Sequence, residues 1–184
     1  MFDPIQPETA TGATEEAFAE AKSQFGAVIN LFKVAGNAPN VLKGIMAFNK
    51  EVANGCELSG AEVELVAMLT SALNRCDYCV NVHMQVGQMH NLSEADLLEA
   101  MAAKADSAKS QALLSYTNEV IRQRGKVSPS TLNAALEAGY SEKALLEVIG
   151  IVGVYTSLQY IRHVADPEHD FPMVEQFDEN QHGA

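Results

Sequence analysis

Two cysteines and a histidine share one face of a predicted helix near the middle of the chain. Cys76 and Cys79 are three residues apart, and His83 follows four residues later. Residues three, four and seven apart lie on the same side of an α-helix, so these side chains form one stripe. The Cα atoms of an i, i+3 pair are about 5 to 6 Å apart, which allows a disulfide. The spacing predicts a thiol pair that can be oxidised, with an imidazole able to accept a proton from Cys79.

The start of this helix predicts reactive thiols. Asn74 is a favourable N-cap residue, and Asp77, three positions later, is its expected partner in a capping box. Cys76 would then lie in the first turn and Cys79 just beyond it. Because helix N-termini favour negative charge, both thiols are expected to have lowered pKa values.

A carboxylate that precedes the first cysteine by twelve residues is the other part of the candidate site. In one unbroken helix Glu64 would lie about 18 Å from Cys76, too far to reach the thiols. If the chain turns near Leu73 and Asn74, the two helical segments pack side by side. Glu64 would then face His83 and orient its ring, as a carboxylate does behind a catalytic imidazole. The sequence therefore predicts a reversal of the chain between these segments.

The cysteine pair has two other interpretations. A structural zinc ion would be bound by Cys76, Cys79 and His83, but zinc usually takes four ligands. The fourth would have to come from His90, Glu64 or a more distant residue. Alternatively, the thiols are buried and pack as small apolar groups. We expect no metal and no cofactor.

The elements that position these residues are predicted to be helices throughout. Ala, Leu, Glu, Met and Gln are abundant, and no run alternates apolar and polar residues over the length of a strand. The pattern predicts about eight helices. Two clear starts are the capping boxes of Ser59 with Glu62 and of Ser93 with Asp96. We expect one all-α domain over residues 1–184, a helical bundle with the cysteines at the start of a core helix. Its N-terminal segment would lie on the surface, and its polar tail from about residue 166 on the surface or on a partner subunit.

Composition and charge narrow the class of protein. The formal net charge of −12 argues against binding to nucleic acid or to an anionic membrane. No apolar run approaches the length of a membrane span, about 20 residues, and the N-terminus lacks the features of a secretory signal, so the cytoplasm is expected.

Three cysteines are too few for a disulfide framework. In a reducing compartment, a CxxC pair is more often catalytic or metal-binding, and Cys56 is expected to be an incidental thiol.

The site residues and their spacing resemble those of the AhpD-like alkylhydroperoxidases, which belong to the carboxymuconolactone decarboxylase superfamily. The pattern is Glu64, eleven residues, the pair Cys76 and Cys79, three residues, and His83. The glutamate and histidine make this motif fairly specific, whereas a bare CxxC would be weak. The resemblance covers most of residues 40–172, and the ending, with Asp170-Phe171-Pro172, is similar to the peroxidase-related branch.

The resemblance implies an all-α fold, homo-oligomers such as trimers or hexamers, and thiol-dependent reduction of peroxides. By motif position, Cys79 would attack the peroxide and become a sulfenic acid. Cys76 would donate a proton and then resolve the sulfenic acid to a disulfide, while Glu64 and His83 would manage protons. Members of the family often carry a histidine between the cysteines, where this chain has Tyr78, a poor base near neutral pH. A shorter proton relay or a lower peroxidase rate is therefore expected, with Tyr78 a packing residue or a substrate contact.

Three functions are compatible with these residues. The leading hypothesis is a cytoplasmic peroxidase that reduces hydrogen peroxide or organic hydroperoxides and is recycled by an external dithiol or thiol protein. The second is a protein disulfide reductase or redox adaptor that uses the same cysteines. The third is a non-catalytic helical oligomer with a metal or small ligand at the site. A decarboxylase is not expected, because those members of the superfamily do not depend on the CxxC.

Overall fold

The computed structural model describes residues 2–178, and within this range the protein is built from helices without a β-strand. This part of the chain contains a short 3₁₀-helix, Pro7–Thr9, and nine α-helices, one more than expected. The helices are α1 (Gly12–Phe25), α2 (Asn30–Ala35), α3 (Pro39–Ala53), α4 (Gly60–Leu73), α5 (Asp77–Met89), α6 (Glu94–Met101), α7 (Ala108–Arg122), α8 (Pro129–Glu137) and α9 (Glu142–Ala165). The all-α prediction is confirmed.

Helix α4 lies at the centre of the fold. Every residue from Glu64 to Leu73 is buried, and α5, α6, α7 and α9 pack around the helix. A helix surrounded in this way needs apolar residues on all sides, which is what its sequence provides. The predicted capping box begins α4: the Glu62 N–H donates to Ser59 Oγ, and the Glu62 carboxylate accepts the Ser59 N–H at 2.9 Å. The capping box therefore fixes the residue at which α4 begins.

Three apolar clusters surround this helix. The first joins α1, α2, α3 and the C-terminal half of α9, and it includes both Cys76 and Cys79. The second joins α7, α8 and the N-terminal half of α9, and the third joins α4 to α5 and α6. Helices α3 and α9 approach closely at Gly150, where a Cβ atom would lie 2.8 Å from the Val52 side chain. The cysteines thus lie where the first cluster meets the central helix.

Helix α9 is long and apolar enough to cross a membrane, with a mean hydropathy of 1.5 over an 18-residue window, and no other helix in residues 2–178 meets this criterion. Core helices of soluble proteins meet the same criterion. Its buried residues include Val148, Ile151 and Val154, and the helix packs against α3 and α4. Helix α9 therefore packs as a core helix of the fold on its α3 and α4 side.

The polar tail folds back onto the helices after α9. Asp166 adopts a left-handed conformation with a φ of 46°, which ends α9. The Asp170 carboxylate accepts the N–H of Asn30, the first residue of α2, at 3.0 Å, and so stabilises the start of that helix. The Val174 N–H donates to Asn81 Oδ1 on α5 at 2.8 Å. As far as residue 178 the tail is therefore held by hydrogen bonds to this chain, whereas Met1 and residues 179–184 lie outside the described residues.

The capping box of α4 predicts a pH-dependent contribution to stability. Burial opposes ionisation of Glu62, but hydrogen bonds from Ser59, Lys109 and Tyr140 outweigh it and lower its pKa from 4.5 to about 2. A carboxyl group whose pKa is lowered by folding stabilises the fold above its unfolded pKa, and this contribution is lost as the pH falls through the folded value.

We therefore expect Ser59→Ala to lower the free energy of unfolding by about 1 kcal/mol at pH 7. The loss should be smaller at pH 3, because the wild type has already lost part of the stabilisation from Glu62 at that pH. Urea unfolding at both pH values measures this difference. Ser157→Ala, which removes an exposed hydroxyl bonded within α9, is the matched control. An equal loss at pH 7 and pH 3 would contradict the role assigned to Glu62.

Candidate functional site

The chain reverses direction between α4 and α5, as the position of Glu64 predicts. Arg75, in the connecting turn, has a positive φ of 57°, a conformation that non-glycine residues seldom adopt. The Cys76 N–H donates to the carbonyl of Ser71 at 2.9 Å and closes the turn over the end of α4. The helix with the cysteines therefore packs against the helix with the carboxylate.

Helix α9 anchors this turn. The side-chain amide of Asn74 donates to Thr156 Oγ1 at 3.0 Å and to Gln159 Oε1 at 2.6 Å. The Asn74 carbonyl accepts from His163 Nε2 at 2.8 Å. Both polar ends of this residue are bonded to one face of α9, so the turn is fixed relative to the core.

The N-cap prediction for Asn74 is wrong. This residue ends α4, because its side chain is bonded to α9, and Cys76 is the N-cap of α5. The Cys76 sulfur accepts the Cys79 N–H at 3.3 Å. Asp77 is the first residue of the helix, and its carboxylate accepts the N–H of Tyr78 at 2.6 Å. The cysteine pair therefore caps the helix itself, and Cys76 Sγ occupies the anion-favouring position at its N-terminus.

The two thiols differ in accessibility. Cys76 is 0% exposed and Cys79 is 6% exposed. Burial raises the pKa of the Cys79 thiol well above its usual value, and the Cys76 sulfur and the Asp77 carboxylate raise it further, while the positive charge of Arg162 lowers it. The predicted lowering of the Cys79 pKa is thus wrong, because burial outweighs the effect of the helix N-terminus. In the reduced protein this thiol stays protonated at neutral pH until a base removes its proton.

Glu64 and His83 form a buried carboxylate–imidazole pair. Glu64 Oε2 lies 2.8 Å from His83 Nδ1, and both side chains are almost completely buried. A carboxylate oxygen accepts a hydrogen bond from the Nδ1–H of an imidazole, which leaves Nε2 as the ring nitrogen that can take up or release a proton. The ring of Tyr155 meets the His83 ring edge-on, with centroids 4.7 Å apart. The fold thus brings Glu64, His83, Cys76 and Cys79 together.

The phenol of Tyr78 is bonded elsewhere. Its hydroxyl accepts the N–H of Leu31 at 3.2 Å and donates to Asp170 in a short hydrogen bond. Burial raises the pKa of Tyr78, and the Asp170 carboxylate raises it further. This side chain ties α5 to α2 and to the tail, and its hydroxyl is occupied by these partners.

Arg162 is a site residue that the sequence analysis missed. Its guanidinium contacts the Asp77 carboxylate at 2.9 Å and Asp166 at 3.3 Å. Its Nε is buried and has no hydrogen-bond partner within residues 2–178. A basic residue near the end of a mostly apolar helix was the available signal. In the structure, Arg162 places a positive charge beside the start of α5.

His169 and Asn81 close the same side of the site. The Asn81 amide donates to His169 Nδ1 at 3.0 Å, and His169 Nε2 lies 3.6 Å from the Asp77 carboxylate. No spacing rule connects these residues, because the contacts depend on how the tail crosses α5. They cover the outer side of the helix start.

The third cysteine is bonded away from the pair. Cys56 is half-buried, and its thiol donates to Glu147 Oε2 at 3.5 Å. Burial raises its pKa despite a backbone hydrogen bond from Leu58, and the Glu147 carboxylate adds to the rise. Within the described part of the chain, no group of three or more His, Cys, Asp or Glu side chains is arranged to hold a metal ion.

Comparison with known sequences shows a similarity in the middle of the chain. The family model described as the carboxymuconolactone decarboxylase family matches residues 39–122, the segment that carries α3 to α7 and both parts of the site. Over this segment the chain is similar to that family. No curated protein matches the whole sequence significantly.

Several solved structures share the fold of this chain. The debrominase Bmp8 in complex with 2,3,4-tribromopyrrole is 16% identical, with a TM-score of 0.77 over 92% of this chain and 91% of its own. An AhpD-core, peroxidase-related protein from Ralstonia eutropha JMP134 is 18% identical, with a TM-score of 0.76 over 96% of this chain and 93% of its own. A peroxidase-related protein from Silicibacter sp. TM1040 is 16% identical, with a TM-score of 0.69 over 95% of this chain and 89% of its own. At these identities the similarity shows the fold.

We expect Arg162→Gln to slow the alkylation of Cys79 at neutral pH. The substitution removes a charge that lowers the pKa of this thiol and leaves Asp77, which raises it, without its guanidinium partner. The thiolate is the reacting form, so the rate at pH 7 falls about tenfold for a rise of one pKa unit.

The measurement is the rate of iodoacetamide labelling from pH 6 to pH 10 in a Cys56→Ser background, with the labelled cysteine identified by mass spectrometry. Lys126→Gln removes a positive charge from an exposed loop and serves as the control. Rate–pH curves that coincide for the two variants would count against a direct effect of Arg162 on the thiol.

Proposed function

We propose that this protein is a thiol-dependent peroxidase that reduces hydrogen peroxide or organic hydroperoxides. The observation that supports this function best is the buried Glu64–His83 pair, in which Glu64 Oε2 lies 2.8 Å from His83 Nδ1. His83 follows Cys79 by one turn of α5. A buried thiol with a raised pKa needs a base before it can act as a nucleophile. The imidazole, oriented by its carboxylate, is that base.

The first step of the proposed reaction oxidises Cys79. His83 takes the thiol proton, and the thiolate attacks the distal oxygen of the hydroperoxide. The O–O bond breaks, a sulfenic acid forms on Cys79, and the alkoxide or hydroxide that leaves takes the proton back from His83. Arg162 places a positive charge near the Cys79 sulfur while that sulfur is a thiolate. Cys79, the more accessible thiol, is the one that meets the peroxide.

The second step closes the disulfide. The Cys76 sulfur, three residues away and bonded to the Cys79 N–H, attacks the sulfenic acid sulfur, and the oxygen leaves as water after taking up the Cys76 proton. The peroxide has then been reduced by two electrons. An external dithiol or thiol protein reopens the disulfide by exchange. Such a cycle fits a reducing compartment, and we place the protein in the cytoplasm.

The disulfide-reductase function uses the same residues and differs in the electron acceptor. The fold itself is shared with a debrominase and with peroxidase-related proteins, so it leaves the acceptor open. A hydroperoxide is favoured because both thiols are buried, which restricts direct attack on another protein's disulfide. Peroxide consumption, measured with several dithiol donors, separates the two functions.

We expect peroxide to convert the reduced protein to a form lighter by two hydrogen atoms, with Cys76 joined to Cys79. Cys76→Ser should stop at a sulfenic acid on Cys79, which dimedone traps. Cys79→Ser should not react with peroxide. Intact-mass and peptide-mass spectrometry measure all three outcomes, and Cys56→Ser, which should behave like the wild type, is the control.

Two results would decide against this cycle. Wild-type protein that keeps both hydrogen atoms after exposure to peroxide lacks the proposed activity. A dimedone adduct in Cys79→Ser but not in Cys76→Ser would reverse the roles of the two thiols.

We further propose that the protein is a homo-oligomer. The outer face of α9 carries large exposed apolar side chains at helical spacing, which are Leu146, Ile149, Tyr160 and Val164. Val41 and Phe48 on the neighbouring α3 are also exposed, so the apolar stripe extends over two packed helices. A contiguous stripe of this kind is typical of a surface that another subunit covers.

Light scattering should give a mass that is a multiple of 19.8 kDa. The double variant Leu146→Glu/Val164→Glu should reduce the mass to that of one chain, because charges are costly to bury in an apolar interface. Wild-type protein that is monomeric at micromolar concentration would exclude this assembly.

A further inference from the structure

A pocket opens between α3, the start of α4 and α9, and Glu64 forms part of its wall. Its volume is about 260 Å³, which gives room for a molecule of about seven to nine non-hydrogen atoms. Neither Cys79 nor His83 lines this space, so a molecule bound here contacts the carboxylate but not the reacting sulfur. Most of the wall is aliphatic and is formed by Val52, Ala53, Leu58, Val63 and Ile151. We call this space the α3–α9 pocket.

One oxygen of the Glu64 carboxylate has no partner in this wall. Oε2 is bonded to His83 Nδ1, whereas Oε1 has no hydrogen-bond partner among residues 2–178. The Glu64 side chain is only 6% exposed. In the described part of the chain, Arg162 Nε is the only fully buried side-chain nitrogen or oxygen without a partner, so Oε1 is open to the pocket. A carboxylate oxygen held in an apolar wall is an available acceptor for a ligand.

The Tyr155 hydroxyl is a second polar group of this wall without a partner. Tyr155 lines the α3–α9 pocket, and no group within residues 2–178 forms a hydrogen bond with its hydroxyl. The hydroxyls of three other tyrosines are bonded, which are Tyr78, Tyr116 and Tyr140. Burial raises the pKa of Tyr155, and the nearby charge of Glu64 raises it further, so the hydroxyl stays protonated at physiological pH. Its oxygen can accept a hydrogen bond from a ligand.

The hydrogen bonds of Asn49 provide a third acceptor. The amide nitrogen of Gln24 donates to Glu20 at 2.8 Å and to the Met46 carbonyl at 3.0 Å, which leaves Gln24 Oε1 as the acceptor of that amide. The Asn49 amide nitrogen donates to this oxygen at 2.9 Å. Asn49 also lines the pocket, and its Oδ1 is the end of the side chain that has no partner among the described residues.

The charge around the α3–α9 pocket favours a cation. No lysine or arginine of residues 2–178 lines it. The remaining polar groups of the wall are the His90 ring and the Cys56 thiol, which is bonded to Glu147. The charge of Glu147 is paired with Lys143 at 3.4 Å, so Glu64 is the charge that a ligand meets. A formal net charge of −12 on the chain favours a positive ligand over a negative one.

We propose that the α3–α9 pocket binds a compact primary amine in its ammonium form. An ammonium group has three N–H donors and no acceptor, which matches the acceptors Glu64 Oε1, Tyr155 Oη and Asn49 Oδ1. The hydrocarbon body packs against the aliphatic wall. His83 keeps its hydrogen bond to Glu64 Oε2, because the ligand uses the other oxygen.

The bound amine makes Cys79 less reactive. The negative charge of Glu64 favours protonation of His83, and an ammonium group at Oε1 offsets that charge. His83 is then a weaker base for the Cys79 thiol. This regulatory effect rests on the role of His83 as the base in the proposed function, whereas the binding of the amine does not depend on it.

Three probes with the same ring and different head groups test the ligand class. Cyclohexylamine, cyclohexanol and cyclohexanecarboxylate are titrated into the wild-type protein in a calorimeter at pH 8, where the amine is protonated and the acid is ionised. We expect the amine to bind at least about tenfold more tightly than the alcohol, because its hydrogen bonds are charge-assisted, and the carboxylate not to bind. Failure of the amine to bind, equal affinity for the amine and the alcohol, or a preference for the carboxylate would overturn the proposal.

Two variants locate the amine. Glu64→Gln keeps the shape of the side chain and removes its charge, so the amine should lose its advantage over the alcohol. Ala53 is exposed at the end of α3 and lines the α3–α9 pocket, so Ala53→Phe should fill the pocket and weaken amine binding at least about tenfold. Ala47→Phe, at an exposed position of α3 outside the pocket, is the matched control and should bind the amine like the wild type. Wild-type binding in either Glu64→Gln or Ala53→Phe would exclude this site.

The rate of iodoacetamide labelling of Cys79 tests the regulatory effect. In a Cys56→Ser background at pH 8, cyclohexylamine should slow the labelling with a half-point equal to its dissociation constant, and cyclohexanol at the same concentration should not. Binding of the amine without slower labelling would exclude the effect on Cys79. These measurements use no peroxide. Amine binding and slower labelling in a protein that consumes no peroxide would exclude the peroxidase function and keep the amine site, whereas peroxide turnover without amine binding would do the reverse.

Discussion

The turn between α4 and α5 is the constraint on which the site depends. Cys76, Cys79 and His83 follow it on one helix, and Glu64 precedes it on the other, so the carboxylate meets the imidazole only if the turn closes. Asn74 is bonded to α9 through both its amide and its carbonyl. The strained backbone at Arg75 is thus maintained by hydrogen bonds to a core helix, and the site is as rigid as the packing of α4 against α9.

Burial and charge act against each other at the thiols. Burial raises the pKa of Cys79, and the Cys76 sulfur raises it further, while the charge of Arg162 lowers it. The acidic partner of Arg162, Asp77, limits this effect because its own charge opposes the thiolate. The balance keeps the buried Cys79 sulfur protonated at rest, which is why the proposed reaction needs His83 as a base.

The part of the site that a sequence can reveal is the part connected by helical periodicity. The i, i+3 and i+7 positions put Cys76, Cys79 and His83 on one face, and the impossible distance to Glu64 in a single helix required the turn. The helix starts at Ser59 and Ser93 were equally visible, because a capping box is a local signal.

Sequence reasoning failed where tertiary contacts compete with local rules. Asn74 was available as an N-cap until α9 bound its side chain, and the pKa of Cys79 depends on a degree of burial that helical spacing does not encode. Arg162, His169 and Tyr155 reach the site from distant segments, through packing that has no fixed spacing.

The far end of the chain completes the wall of the site, and this has a consequence for synthesis. Arg162 and Asp170 follow Cys79 by more than eighty residues. At about 5 to 20 residues per second, a ribosome needs on the order of ten seconds to add them. During that interval the nascent α5 lacks the segments that carry Arg162 and Asp170. In a cell under oxidative stress, oxidants can reach the two thiols before these segments cover them. The newly made polypeptide is therefore more vulnerable to overoxidation than the finished protein.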